Sequence, residues 1–266
     1  MEENVSVDDY SLASYYVETF YDETILSSAT CFFTKVNNQD YIVTNWHVVS
    51  GKNADTLKCL DEKCAVPNKL RVYLPIKMDE FFQINKSNFI DIKLLDDSGE
   101  PLWYEKEQNE KMIDVAIIPF QNQTELYYLP IEEAEEPFNK KVAFEITSEI
   151  YVIGFPFGKI GGDLPIWKRA SVASEPGMDI NDMPYFFADT ATKPGMSGSP
   201  VILHERRPIV MMGEEGNSRY WTKFVGVYSG RIGVDKAGDA QLGRVWKAEI
   251  IKDMIEHQGK KVIKKF

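Results

Sequence analysis

Cysteine is scarce in this chain: Cys31, Cys59 and Cys64 are the only three among 266 residues. So few thiols exclude a disulfide-dense scaffold. Cys59 and Cys64 are left either to pair or to hold a metal, and two thiols without a histidine nearby are a weak metal signal, so no metal or other cofactor is expected. Histidine is as rare, with His47, His204 and His257. No apolar run approaches the roughly 20 residues of a membrane-spanning helix, and no membrane partner is expected. Positive charge is in deficit. The net charge of −11 repels phosphate backbones and argues against nucleic acid as a partner, and the basic residues at 260–265 read as a solvated end. No export signal is expected at the N-terminus, because Met1-Glu2-Glu3-Asn4 is acidic where a secretory signal is basic and then apolar. A reducing, cytoplasmic setting is the simplest expectation.

What the chain does have is ordinary globular material, 44% hydrophobic and 27% charged, in a length that allows one large or two small cores. Short β-branched and aromatic runs separated by turn residues recur along it. Residues 36–40, Val-Asn-Asn-Gln-Asp, read as a hairpin turn leading into residues 41–49, whose pattern predicts a buried strand ending at His47. Residues 11–33 are compatible with opening strands or with a short helix before them. Residues 50–70 and 204–220 read as loop insertions, and 121–141 as an acidic, solvated linker. The three-to-four spacing of Val245, Trp246, Ile250, Ile251, Met254 and Ile255 predicts a helix over 242–257.

One stretch stands apart. In residues 189–200, Asp-Thr-Ala-Thr-Lys-Pro-Gly-Met-Ser-Gly-Ser-Pro, Ser197 lies between two glycines on a turn stiffened by Pro194. A hydroxyl presented there becomes a nucleophile when a base can reach it. His47 is the candidate base, since His204 and His257 lie in polar surroundings that suggest exposure. Asp114 opens the short apolar run 113–118; buried there without a partner it would be costly, and His47 is its natural partner.

These residues resemble the trypsin-like serine peptidases, and among them the HtrA-type proteases most. Four stretches carry the resemblance: Thr44-Asn45-Trp46-His47-Val48-Val49, Asp114-Val115-Ala116-Ile117-Ile118, Val152-Ile153-Gly154-Phe155-Pro156-Phe157-Gly158, and residues 189–198. They follow the order histidine, aspartate, serine, which separates this arrangement from subtilisin-like and α/β-hydrolase ones. The resemblance implies an all-β fold of two antiparallel β-barrels with a C-terminal helix. Its expected divisions are an N-terminal segment 1–27, a first barrel 28–120, a linker 121–141, a second barrel 142–240, and a helix with a basic tail over 241–266.

It further implies an endopeptidase acting on proteins or peptides through an acyl-enzyme, with His47, Asp114 and Ser197 catalytic and the backbone N–H groups of Gly195 and Ser197 forming the oxyanion hole. Ala191, Tyr228, Ser229 and Gly230 are implied to bind substrate. With no acid at Ala191, a small or medium apolar residue is expected before the cleaved bond. Met196 stands where digestive members carry an aspartate that pairs with a new N-terminus, so activation by that route is not expected; an ordering event in the 194–198 loop, with room for a regulatory partner, is. The stretch after Ser197 is short for the PDZ module that HtrA-type proteins usually carry, and none is expected. Two rival readings use the same residues: a peptide-binding module that has lost turnover, and an esterase.

Overall fold

The computed structural model describes residues 7–78, 81–121, 127–135, 144–158, 163–208, 218–231 and 241–257. A one-turn helix α1 (Asp9–Leu12) precedes β1 (Ser14–Tyr21), so the opening stretch supplies both a helix and strands. β2 (Thr24–Val36) and β3 (Gln39–Thr44) form the expected hairpin, with Asn37 and Asn38 at φ 51° and 64°, the left-handed pair that a two-residue turn requires and asparagine tolerates. β4 (Lys69–Met78) and β5 (Phe81–Lys93) follow a long loop, and a small ribbon of β6 (Glu107–Gln108) and β7 (Lys111–Met112) precedes β8 (Ala116–Phe120). The six long strands make an antiparallel sheet in the order β5-β4-β1-β2-β3-β8, curled into a half-barrel.

The second unit comprises β9 (Glu149–Gly154), β10 (Ile166–Val172), β11 (Tyr185–Asp189), β12 (Pro200–Pro208), β13 (Ser218–Arg231) and β14 (Leu242–Lys247). They close as an antiparallel barrel, β10-β11-β14-β13-β12-β9. The all-β architecture is therefore the expected one, with three local corrections. The strand predicted to reach His47 ends at Thr44, and His47 lies on the short helix α2 (Trp46–Ser50), closed by the Gly51 N–H on the His47 carbonyl. The predicted helix over 242–257 is a strand and then a helix, α4 (Glu249–Glu256). Val245 and Trp246 pair across to Tyr228 and Val227 on one side and to Phe186 and Tyr185 on the other; this barrel pairing overrides a helical spacing that Ile250, Ile251, Met254 and Ile255 alone carry. The 204–220 insertion is in part an extension of the β12–β13 hairpin, paired as far as Pro208 and Ser218, and its segment 209–217 lies outside the described residues.

The acidic stretch expected as a linker is described only in part. Residues 122–126 and 136–143 lie outside the described residues, but α3 (Ile131–Ala134) between them is docked: Ile131 is fully buried, and the Glu132 carboxylate accepts hydrogen bonds from Thr34 Oγ1 and, at 3.0 Å, from the Lys35 N–H. Cys59 and Cys64 are joined as a disulfide in the loop after α2, and Cys31 is a buried free thiol. Among the described residues no helix is long and apolar enough to cross a membrane.

Each unit has its own core, around Phe33, Ile42 and Leu70 in the first and Val152, Phe186 and Val201 in the second. A third cluster joins them, bringing Phe32, Val43, Ile113 and Ile117 against Ile153, Ile202, Val227 and Trp246. Each such side chain contributes about 1.5–3 kcal/mol on burial. An exposed ion pair contributes about 0–1 kcal/mol, and the pair that Arg244 makes to Asp55 at 3.0 Å across the two units is of that kind. Apolar packing therefore fixes the crevice in which the functional loops meet.

Candidate active site

His47 enters the crevice from α2 and Asp114 from the tight turn before β8, where the Val115 N–H bonds the Ile113 carbonyl at 2.8 Å. The Asp114 carboxylate, 5% exposed, accepts twice from His47: from Nδ1 at 2.7 Å and from the backbone N–H at 2.8 Å. The Ser229 hydroxyl is a further donor to it, and Asn45 Nδ2 holds the Asp114 carbonyl at 2.7 Å. Burial alone would push the Asp114 carboxyl up; the His47 charge and these hydrogen bonds outweigh it and hold the group below its ordinary value. For His47 burial works downward, but the Asp114 charge and hydrogen bond prevail and the imidazole lies above its ordinary value. With Asp114 ionised, Nδ1 carries the proton in the neutral ring, so Nε2 keeps its lone pair.

Ser197 is presented from the loop between β11 and β12, and it is half-buried. Gly195 and Gly198 have φ of +98° and +81°, and a Cβ at either would overlap backbone, the Phe155 carbonyl oxygen for Gly195 and that of Thr30 for Gly198. The loop is tied to both units. Thr30, buried on β2, donates its hydroxyl to the Gly195 carbonyl at 2.8 Å and its N–H to the Ser197 carbonyl at 2.8 Å, while its hydroxyl accepts from the Phe155 N–H at 3.2 Å. Thr44 Oγ1 in turn holds the Thr30 carbonyl at 2.9 Å. From the second barrel, the Phe157 N–H takes the Pro194 carbonyl at 2.7 Å, and the Gly198 N–H donates to the Tyr228 carbonyl at 2.9 Å. Because a trans peptide points its N–H opposite to its carbonyl, anchoring Pro194 C=O on Phe157 turns the Gly195 N–H to the other side. Among the described residues, the N–H groups of Gly195 and Ser197 have no acceptor.

The sheet and barrel thus bring His47 and Asp114 into direct contact and anchor the Ser197 loop on Thr30, which Thr44 holds in turn. No hydrogen bond joins Ser197 Oγ to the imidazole among the described residues; such bonds are often long before substrate binds. Of the four residues assigned to substrate, Ala191 and Gly230 are partly exposed. Ser229 directs its hydroxyl to Asp114. Tyr228 is 1% exposed, with its hydroxyl bonded to Thr192 Oγ1 and its backbone engaged by Gly198 and Ser199. Burial pushes that phenol up to about 12. Of the other histidines, His257 is exposed as expected, but His204 is half-buried against the rings of Tyr151 and Trp167, at 5.8 and 5.7 Å. The polar residues that follow it in the sequence conceal this packing.

Thr30 is not legible as a site residue. Its one local signal is a hydroxyl within the wholly buried run 29–34, where a polar group needs a partner. Met196 also acquires a role: at 1% exposed it anchors the loop by packing into the second barrel core. We expect Gly198→Ala to lower stability by at least about 2 kcal/mol, from the left-handed φ and the overlap with Thr30, a drop of about 4 °C or more in Tm. Gly177→Ala, whose Cβ would meet nothing within 4 Å, is the control and should leave Tm within a degree by calorimetry.

Residues 29–210 match the family described as a trypsin-like peptidase domain. No curated protein matches the chain by sequence. Among solved structures, a serine-to-alanine mutant of Rv3671c from M. tuberculosis H37Rv, in its inactive form, is similar at TM-score 0.50 and 15% identity, over 97% of this chain and 91% of that one. The serine endoprotease from Yersinia pestis is similar at TM-score 0.51 and 13% identity, over 96% and 67%. An HtrA-type protease, a serine-to-alanine variant of AlgW with a tripeptide, is similar at TM-score 0.50 and 12% identity, over 95% and 62%. At these identities the likenesses speak for the fold.

Proposed function

Because the chain belongs to the trypsin-like peptidase family, by a match over residues 29–210, we propose that it is a serine endopeptidase that cleaves proteins or peptides through Ser197, His47 and Asp114. The observation that carries this reading is the double hydrogen bond from His47 to Asp114, which fixes the ring and leaves Nε2 as the proton acceptor. In the proposed reaction Ser197 Oγ attacks the scissile carbonyl while Nε2 takes its proton. Asp114 stabilises the resulting imidazolium, which then protonates the leaving amine. Water, activated by the same imidazole, hydrolyses the acyl-enzyme. This division of labour is the one common to Ser-His-Asp triads on unrelated folds. The Gly195 and Ser197 N–H groups would receive the oxyanion, and losing one such donor costs about 3–4 kcal/mol of transition-state stabilisation. The ties from Thr30, Phe157 and buried Met196 support a loop held in order without a partner, in place of the ordering switch expected from Gly195.

Incubation with an unfolded protein such as casein tests the reading. Peptide fragments with new amino termini are expected from the native chain and not from His47→Ala. Hydrolysis of small esters with no fragments would favour an esterase, and neither activity would favour a binding module.

The pH profile should carry the mark of the pair. The imidazole must be neutral to accept the Ser197 proton, so kcat/KM is expected to fall as pH drops through a midpoint above the ordinary histidine value of 6.5. Stability runs the other way. The raised His47 pKa stabilises the fold below 6.5 and ceases to as pH rises through the folded value; the lowered Asp114 pKa contributes above 3.8 and is lost as pH falls through its own. The pair therefore stabilises most between those two ordinary values, where turnover is already declining. Denaturation midpoints and rates measured across pH would show the two curves offset, and coincident maxima would count against this coupling.

A further inference from the structure

Beside the Ser197 loop, the Tyr228 side chain of β13 packs between residues 190–192 and the start of β14. Tyr228 lies there with its hydroxyl bonded to Thr192 Oγ1, and both residues are buried, at 1% and 3% exposed. Gly243 opposite is required for the fit: a Cβ on it would lie 2.5 Å from Tyr228 Cε2 and 3.0 Å from the hydroxyl oxygen. The ring is tied to the nucleophile loop through its own backbone, since the Tyr228 carbonyl accepts from the Gly198 N–H at 2.9 Å and its N–H donates to the Ser199 carbonyl at 2.9 Å. Met196 packs in the same cluster. Ala191, between Thr190 and Thr192 on the chain that leads to Ser197, is partly exposed.

We propose that Tyr228, latched by Thr192, is a specificity-determining plug that fills the pocket beside Ser197 and restricts the residue before the scissile bond to glycine, alanine or serine. This deepens the peptidase reading and rests on it. A side chain the size of leucine or phenylalanine would have to displace a ring held by a buried hydrogen bond and by its own strand. The substrate class is therefore extended polypeptide with a small residue at the cleaved position.

The test uses the full chain and four peptides that differ only in carrying Gly, Ala, Leu or Phe before the scissile bond. The native protein should favour Ala and Gly over Leu and Phe by about 100-fold or more in kcat/KM, the scale on which pocket fit discriminates. Tyr228→Ala, and Tyr228→Val as a variant that retains more packing, should raise kcat/KM for Leu and Phe at least tenfold relative to Ala. Tyr228→Phe keeps the ring and should keep the small-residue preference. A native preference for Leu or Phe, or an unchanged ranking in both truncated variants, would overturn the proposal. A second arm does not need turnover: crystals of Tyr228→Ala soaked with p-cresol should show it in the vacated space, open toward Ser197, as vacated apolar cavities take up aromatic molecules. A void sealed from Ser197 would overturn the plug. Should the native chain cleave no peptide and take no fluorophosphonate, the peptidase reading fails by itself, and the p-cresol result alone decides whether Tyr228 fills a ligand pocket.

Discussion

Ser197→Ala is expected to lower peptide-bond hydrolysis by about a million-fold, the loss typical when the nucleophile of such a triad is removed, while leaving the fold intact. The serine side chain makes no hydrogen bond among the described residues, so its deletion strands no buried partner. The loop that presents it depends on main-chain ties from Thr30, Phe157 and Tyr228, none of which uses the Ser197 hydroxyl. Rates on the best peptide, with a thermal melt alongside, would check both halves. A variant that keeps even one per cent of native turnover would mean that another group performs the attack.

Asp114→Asn should cost about 10⁴-fold in kcat. The asparagine Oδ1 can still accept from the His47 N–H, now 2.8 Å from the carboxylate. Its amide would then face His47 Nδ1 with hydrogens, driving the ring to the tautomer protonated on Nε2, where the base is needed. The loss should therefore appear in kcat far more than in KM. The acid limb of the pH profile should also move down, because the charge that raises the His47 pKa is gone. A loss confined to KM would place Asp114 in substrate binding instead.

The parts of this site whose chemistry is local are legible in the sequence. Gly195-Met196-Ser197-Gly198 declares a strained turn from composition alone, and a carboxylate at the start of an apolar run declares that it must meet a partner. The hairpin at Asn37 and Asn38 is legible because two consecutive left-handed residues demand asparagine or glycine. What stays hidden depends on contacts between distant residues. Thr30 lies 165 positions from the Gly195 carbonyl that it holds, and no local pattern announces such a bond. Ser229 reads as a wall of the substrate cleft, since nothing in Val227-Tyr228-Ser229-Gly230 reveals that its hydroxyl turns to Asp114. Trp246 reads equally well on a helix or in a strand until β11 and β13 are seen on either side. His47 reads as the end of a strand because Trp46, Val48 and Val49 have strong β preference; burial of all three against the first core is satisfied as well by one helical turn.

The central claim is that Ser197 is activated by a histidine that Asp114 orients. Treating the native chain with a fluorophosphonate and mapping the adduct by mass spectrometry tests it most directly. A single adduct on Ser197, formed at a rate that collapses in His47→Ala and Asp114→Asn while both variants remain folded, is the predicted result. No adduct on the folded native chain, or one on Ser197 whose rate is indifferent to His47, would contradict it.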